Sequence, residues 1–249
     1  MRGSIVLHGG GEFVTGDEAC VSAVLGLGAM RAGADRPIRV VIVPTATARW
    51  SPERSAAHGV AAFTRAAARD RLVVAAEAVM VLDAATAADP VLADRLAAGD
   101  VISFPGGDPD VLVSVMPGSA AWAAIERARG SGAVLAGASA GAMALAPWTW
   151  TPGGGLVGLG IVPGLVVVPH ADGSSWDATV GRFGASAPAG LGALGLAERT
   201  AAITEDPTTD PVRWRVVGEG EVRWLVKRGE DTAVFRAGDR FATPGRAAQ

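Results

Sequence analysis

The chain has 249 residues, 49% of them apolar, which is enough to bury a large core. Its 22 basic and 25 acidic residues leave a net charge of −3 with no basic cluster beyond short runs such as Lys227-Arg228, which argues against nucleic acid or an anionic membrane as a partner. One cysteine, Cys20, excludes intrachain disulfides and argues against a cysteine-based metal site, and no stretch suits a signal h-region or a membrane span, so the expected location is the cytoplasm.

Ser4 to Leu7 is a short apolar run ending in His8-Gly9-Gly10-Gly11-Glu12, the punctuation of a buried strand that delivers the backbone to a functional edge. Thr15 and Glu18 have capping-box spacing and open a helix that carries Cys20 and ends near Gly33. Arg39 to Pro44 is a second strand. Ser51-Pro52 starts an alanine-rich helix through Arg69 that contains His58. A third strand is expected over Ala78 to Asp83, a helix from Asp89-Pro90 to Gly99, and a fourth strand over Val101 to Phe104. That strand runs into Pro105-Gly106-Gly107, and Asp108-Pro109 begins another helix. A helix over Ala120 to Arg129 precedes the apolar strand entering Gly137-Ala138-Ser139-Ala140-Gly141.

Beyond this point Trp148 to Gly155 reads as a loop, Gly160 to Pro169 as an apolar strand reaching His170, and Ser174 to Phe183 as a helix. Alternation of Val212, Trp214 and Val216 with arginines, a turn at Gly218-Glu219-Gly220, then alternation through Val226 predicts a half-exposed hairpin. Thr232 to Phe241 adds one or two further strands. Strands alternating with helices argue for an α/β fold: a mostly parallel sheet with helices on both faces, in a flavodoxin-like three-layer arrangement with a C-terminal β-hairpin extension. The expectation is one domain over 1–249, with a parallel core over 1–190 and a β-rich extension over 191–249.

Ligands in such folds bind at the carboxyl ends of the strands, where the glycine loops at 8–12, 105–108 and 137–141 converge. The last is a G-x-S-x-G elbow between a strand and a helix, a turn that presents a serine hydroxyl at the sheet edge. A serine needs a base, and His170 ends a strand at the same edge; His8 lies beside the first glycine loop, whereas His58 sits within a helix remote from any of them. An oxyanion hole has natural donors in the Ala140 N–H and the Gly106-Gly107 loop. The orienting acid stays open, because no Asp or Glu lies between Ser139 and His170. Asp172, Asp177, Glu198 and Glu12 are the candidates. The α/β-hydrolase order of serine, acid, histidine is excluded by that empty interval.

Taken together, LHGGGE, VVIVPTATA, ISFPGGDPDVL, AGASAGAMAL, the strand ending in His170, LGLAERTA, VVGEGEV and RAGDRF resemble the cyanophycinase and aspartyl-dipeptidase family of serine peptidases, whose fold is like that of class I glutamine amidotransferases. The resemblance implies Ser139 as nucleophile, His170 as base, Gly107 and Ala140 as oxyanion hole, and Glu198 as the first-ranked acid, since it matches a family glutamate. Gly10, Gly11, Gly106, Asp108 and Arg182 are the expected substrate-binding residues. Asp108-Pro109 replaces the family's usual Asn-Gln, and the surroundings of His170 depart from the cyanophycinase pattern, which argues against cyanophycin as substrate. The expected activity is hydrolysis of a small peptide or amide through an acyl-enzyme, with no metal or cofactor. The alternative is a member of the same fold that has lost this chemistry and binds a small molecule at the glycine loops. Arg49, Arg182 and Arg199 are candidate carboxylate partners, and the hairpin edge and the Trp148-Trp150 loop are candidate contacts for a homodimer.

Overall fold

The computed structural model describes residues 2–151, 154–172, 176–180, 187–204, 206, 208–226 and 231–245. Its centre is an eight-stranded sheet. The strands β1 (Ile5–His8), β2 (Ile38–Ile42), β3 (Val74–Ala78), β4 (Val101–Phe104) and β5 (Val134–Ala138) form its parallel part. The antiparallel strands β10 (Thr200–Thr204), β11 (Val212–Gly218) and β14 (Arg240–Thr243) complete it in the order β14-β11-β10-β1-β5-β4-β2-β3. A smaller sheet, β13-β12-β9-β8, is built from β8 (Leu165–Val168), β9 (Gly192–Leu196), β12 (Val222–Leu225) and β13 (Ala233–Phe235).

The inner parallel strands β1, β4 and β5 are buried along their whole length because both faces of the sheet are covered there. Side chains alternate across the sheet, so along β1 and β5 Val6, Val134 and Ala136 meet helices α1 (Glu18–Ala32) and α2 (Pro52–Asp70), whereas Ile5, Leu7 and Leu135 point the other way. The opposite face is covered by α4 (Pro90–Ala97), preceded by the short α3 (Ala84–Ala88), and by α5 (Pro109–Val115), α6 (Ala120–Gly130) and α7 (Ala140–Leu145), with Leu96, Leu112, Trp122 and Ile125 buried there. This is the expected α/β architecture. Among the described residues no helix is long and apolar enough to cross a membrane.

Several local expectations are corrected. The strand expected over Ala78 to Asp83 lies earlier, at β3. It is the sheet's edge, so it alternates half-buried and exposed residues, while the more apolar Val79 to Val81 turns over the strand end, with the Val79 N–H on the Ile42 carbonyl. The capping box at Thr15 does not form; α1 opens at Glu18, whose carboxylate accepts the Gly16 N–H at 2.9 Å. Trp148 to Gly155 contains paired strands, β6 (Trp148–Thr151) and β7 (Gly154–Val157), where the Thr151 hydroxyl donates to the Gly154 carbonyl. The helix expected over Ser174 to Phe183 is described only over 176–180, the rest lying outside the described residues.

The C-terminal hairpin is also paired differently. β11 and β12 do not pair with each other. β11 pairs with β10 in the large sheet and β12 with β9 in the small one, so that 193–204 and 214–225 form one long antiparallel ribbon bent at Ala197 to Arg199. Alternation along each strand reports a half-covered face but not the partner, and β9 and β10 are too glycine- and alanine-rich to advertise themselves.

Asp100, fully buried at the start of β4, ties three strands at their amino ends. Its side chain accepts from Arg36 and from the Arg39 N–H, with Arg31 beside it, and its backbone bonds to Arg39 and Val134. Burial alone would raise the pKa of this carboxyl, but the Arg36 hydrogen bonds, the Arg39 N–H and the two arginine charges outweigh it and hold the group below the usual carboxylate range. A lowered folded pKa stabilises the protein at pH values above the unfolded pKa of about 3.9 and is lost as pH falls through the folded value. Asp100→Asn is therefore expected to lower stability by about 1–3 kcal/mol near neutral pH. The difference from wild type should shrink below about pH 4 in urea unfolding followed by circular dichroism.

Candidate active site

The carboxyl ends of β1, β4 and β5 lie side by side, and each runs directly into a glycine-containing turn. β5 ends at the elbow. Ser139 stands at φ 48° and ψ −112°, a backbone conformation rare for a residue with a side chain, and α7 starts at the next residue. The turn is this tight because strand and helix touch: a Cβ on Gly137 would lie 2.6 Å from the Gly141 backbone, and one on Gly141 would lie 2.3 Å from the Phe104 carbonyl oxygen. Both flanking glycines of the motif are therefore packing requirements of the elbow.

His170 follows β8, also at positive φ (52°). Its Nε2 lies 3.0 Å from Ser139 Oγ, and its Nδ1 lies 2.9 Å from Glu198 Oε1. With Nδ1–H donating to the carboxylate, Nε2 is left to accept from the serine hydroxyl. Of the four acids that spacing leaves open, Glu198 is the one whose carboxylate lies against the His170 ring. Asp172 Oδ2 lies 3.5 Å from the Glu198 backbone N–H, Asp177 is exposed on the 176–180 helix, and Glu12 Oε1 accepts the Gly106 N–H at 2.7 Å. Glu198 sits at the bend of the long β-ribbon, next to Arg199 at φ 51°. The His170 and Glu198 side chains are 49% and 46% exposed, so the line of groups is open to solvent. Hydroxyl, imidazole and carboxylate in this order can move a proton off the serine and hold the resulting imidazolium.

The glycine loop after β1 supports all three. The Ser139 N–H donates to the His8 carbonyl (2.9 Å), the His170 N–H to the Gly9 carbonyl (2.8 Å) and the Arg199 N–H to the Gly10 carbonyl (2.8 Å). Gly10, at φ 111°, lies under the His170 ring, where a Cβ would come within 2.3 Å of Cε1; Gly11 abuts the Glu198 side chain. Gly106 borders the serine, since a Cβ there would lie 3.1 Å from Ser139 Cβ. Asp108 caps α5 through the Asp110 N–H and pairs with Arg49 at 2.9 Å. Among the described residues the N–H groups of Gly107 and Ala140 have no protein acceptor. Arg199 pairs with Glu219 at 3.6 Å, and Arg182 lies outside the described residues.

His8 and His58 are not part of this line. His58 is exposed on α2. His8 is buried, with Nε2 on Asp17 Oδ1 at 2.7 Å and Nδ1 accepting the Gly10 N–H at 3.1 Å. Cys20 lies close enough that His8, Asp17 and Cys20 could share a cation by distance. Their donor atoms already have protein partners, however, the thiol facing the Arg199 and Val217 carbonyls. Burial first, then the Asp17 carboxylate, pushes the Cys20 thiol far above its ordinary range, which disfavours the nucleophilic thiolate. Sequence reasoning missed the part played by Glu12. Its glutamate stood in plain view after the glycines, but only the approach of two remote loops reveals its partner.

The model of peptidase family S51 matches residues 27–210. A comparison with curated proteins gave no match. Among solved structures, a peptidase from an acI-B1 actinobacterium is 26% identical over 98% of both chains with a TM-score of 0.79. A putative peptidase E protein from Listeria monocytogenes EGD-e, 14% identical, covers 96% of this chain and 100% of its own at a TM-score of 0.54, a likeness of fold.

Because the Gly10 Cα rests against the imidazole, Gly10→Ala is expected to displace His170 and to cost about 1–3 kcal/mol through its positive φ. Long-range nitrogen–proton NMR of the imidazoles, with urea unfolding alongside, checks both: the His170 signals should move while those of His58 stay in place.

Proposed function

The chain belongs to peptidase family S51, and from that premise we propose that it is a serine-type peptidase that cleaves a small peptide or amide through an acyl-enzyme on Ser139. The observation that carries the reading is the continuous line from Ser139 Oγ to His170 Nε2 (3.0 Å) and from His170 Nδ1 to Glu198 Oε1 (2.9 Å). In this reading His170 takes the hydroxyl proton as Oγ attacks the scissile carbonyl, and Glu198 holds the imidazole in the competent tautomer and balances its charge. The carbonyl oxygen, becoming an oxyanion, is received by the Gly107 and Ala140 N–H groups, whose lack of a protein acceptor suits them to it. His170 then returns the proton to the leaving amine. Water, deprotonated by the same imidazole, releases the acyl group and restores the serine.

A line of three hydrogen-bonded groups disfavours the non-catalytic alternative, because a ligand-binding descendant has no need of an imidazole held between a serine and a carboxylate. Membership of a peptidase family, and likeness to a peptidase from an acI-B1 actinobacterium, support cleavage of a peptide or amide bond, and the small size of the substrate is part of the proposal.

A fluorophosphonate probe is expected to label the wild-type protein and not Ser139→Ala; equal labelling of the two sinks the nucleophile assignment. Glu198→Gln should keep the fold and lower the labelling rate by about 100-fold or more, the loss expected when an imidazole is no longer held in its competent tautomer.

A further inference from the structure

Glu12 reaches across the site from the first glycine loop, and its Oε1 accepts the Gly106 N–H at 2.7 Å. Two residues on, the Asp108 N–H donates to the Ala46 carbonyl at 2.7 Å. Gly107, between these two pinned amides, stands at φ 148° with its Cα packed on that same carbonyl, where a Cβ would lie 2.3 Å from the oxygen. The turn is therefore fixed on both sides of the Gly107 N–H. It also abuts the serine, since a Cβ on Gly106 would lie 3.6 Å from Ser139 Oγ.

From this geometry we infer that Glu12 is a positioning residue for catalysis: its hydrogen bond to the Gly106 N–H clamps the 105–108 turn so that the Gly107 N–H is set in advance for the oxyanion. The inference rests on the serine-peptidase reading above and adds a residue which that reading does not use. The clamp matters because an oxyanion donor is effective only when it needs no rearrangement at the moment of attack, and displacements of about 1 Å can cost on the order of 100-fold in rate. The need is for an acceptor and not for a charge. An anion near a developing oxyanion opposes it, so a neutral acceptor of the same length should serve as well.

That distinction supplies the test. Hydrolysis of p-nitrophenyl acetate and the rate of fluorophosphonate labelling are measured for wild type, Glu12→Gln and Glu12→Ala, with amide resonances of Gly106 and Gly107 recorded in each. Glu12→Ala is expected to lose about 10- to 100-fold in kcat and labelling rate with KM moved less than about threefold, and to shift both amide resonances. Glu12→Gln, whose amide oxygen can accept the same N–H, should stay within about threefold of wild type with the Gly106 resonance near its original position. Wild-type rates in Glu12→Ala overturn the inference, as does a Glu12→Gln variant as impaired as Glu12→Ala, which would mean that the charge itself is used. Should Ser139→Ala retain full activity, the serine reading fails on its own. The amide spectra then still judge the clamp, and unmoved Gly106 and Gly107 resonances in Glu12→Ala overturn it.

Discussion

Everything at the carboxyl edge of the large sheet depends on a run of consecutive main-chain carbonyls, those of His8, Gly9 and Gly10, each accepting one N–H from a different part of the chain. Ser139, His170 and Arg199 dock on them in that order. A single hydrogen bond of this kind contributes only about 1 kcal/mol net, so the loop is not a large source of stability. What it supplies is spacing. Adjacent residues of one strand end stand a few ångströms apart, and three segments remote in sequence inherit that spacing when they bond to it. Behind the loop, the His8 imidazole bridges Asp17 and the Gly10 N–H, and Asp17 also accepts the Phe13 N–H. This buried network fixes the template from the α1 side.

The docked segments are themselves held in sparsely populated conformations. Ser139, His170 and Arg199 all have positive φ near 50° without being glycine. Each such residue costs on the order of 1 kcal/mol or more, and it persists only where its surroundings over-determine it. Here the over-determination comes from the strands on either side: β5 and β8 are buried throughout, and the β-ribbon is pinned at its bend by Ala197 N–H to Glu221, Glu219 N–H to Arg199, and Gly220 N–H to the Thr200 hydroxyl.

What could be read from the sequence follows from the range of the interaction that decides it. The elbow was legible because G-x-S-x-G, the apolar run before it and the helix after it are all local, and β1, β2, β4 and β5 were legible as apolar runs closed by punctuation. His170 was legible because the chain has three histidines and this one follows an apolar strand-like run. Glu198 was not separable from Asp172, Asp177 or Glu12 by spacing, since the choice is made where the β-ribbon bends from one sheet into the other. The same bend hides the pairing of Val212 to Gly218, whose alternation reports a half-covered face but points to β12 as neighbour where the structure has β10. Glu12 and Gly106 are 94 residues apart, and their bond is set by the β1-β5-β4 order of the sheet.

The exposure of the line also decides which physical effect can organise it. With the His170 and Glu198 side chains about half exposed, their attraction is screened by water, and a surface ion pair contributes about 0–1 kcal/mol. Coulomb energy is too weak to hold the imidazole against its other rotamers. The ring is held instead by shape and main chain: Gly10 beneath it, the His170 N–H on Gly9, and Glu198 carried on a bend whose next residue is bonded to Gly10. Replacing the Glu198 carboxylate should therefore disturb which ring nitrogen carries the hydrogen more than the position of the ring, whereas adding a methyl group at residue 10 should disturb its position first. Ring position and ring tautomer are thus set by different residues, the first by one short loop and the second by one β-bend, so the proposed site does not need its solvent-open carboxylate to hold the imidazole in place.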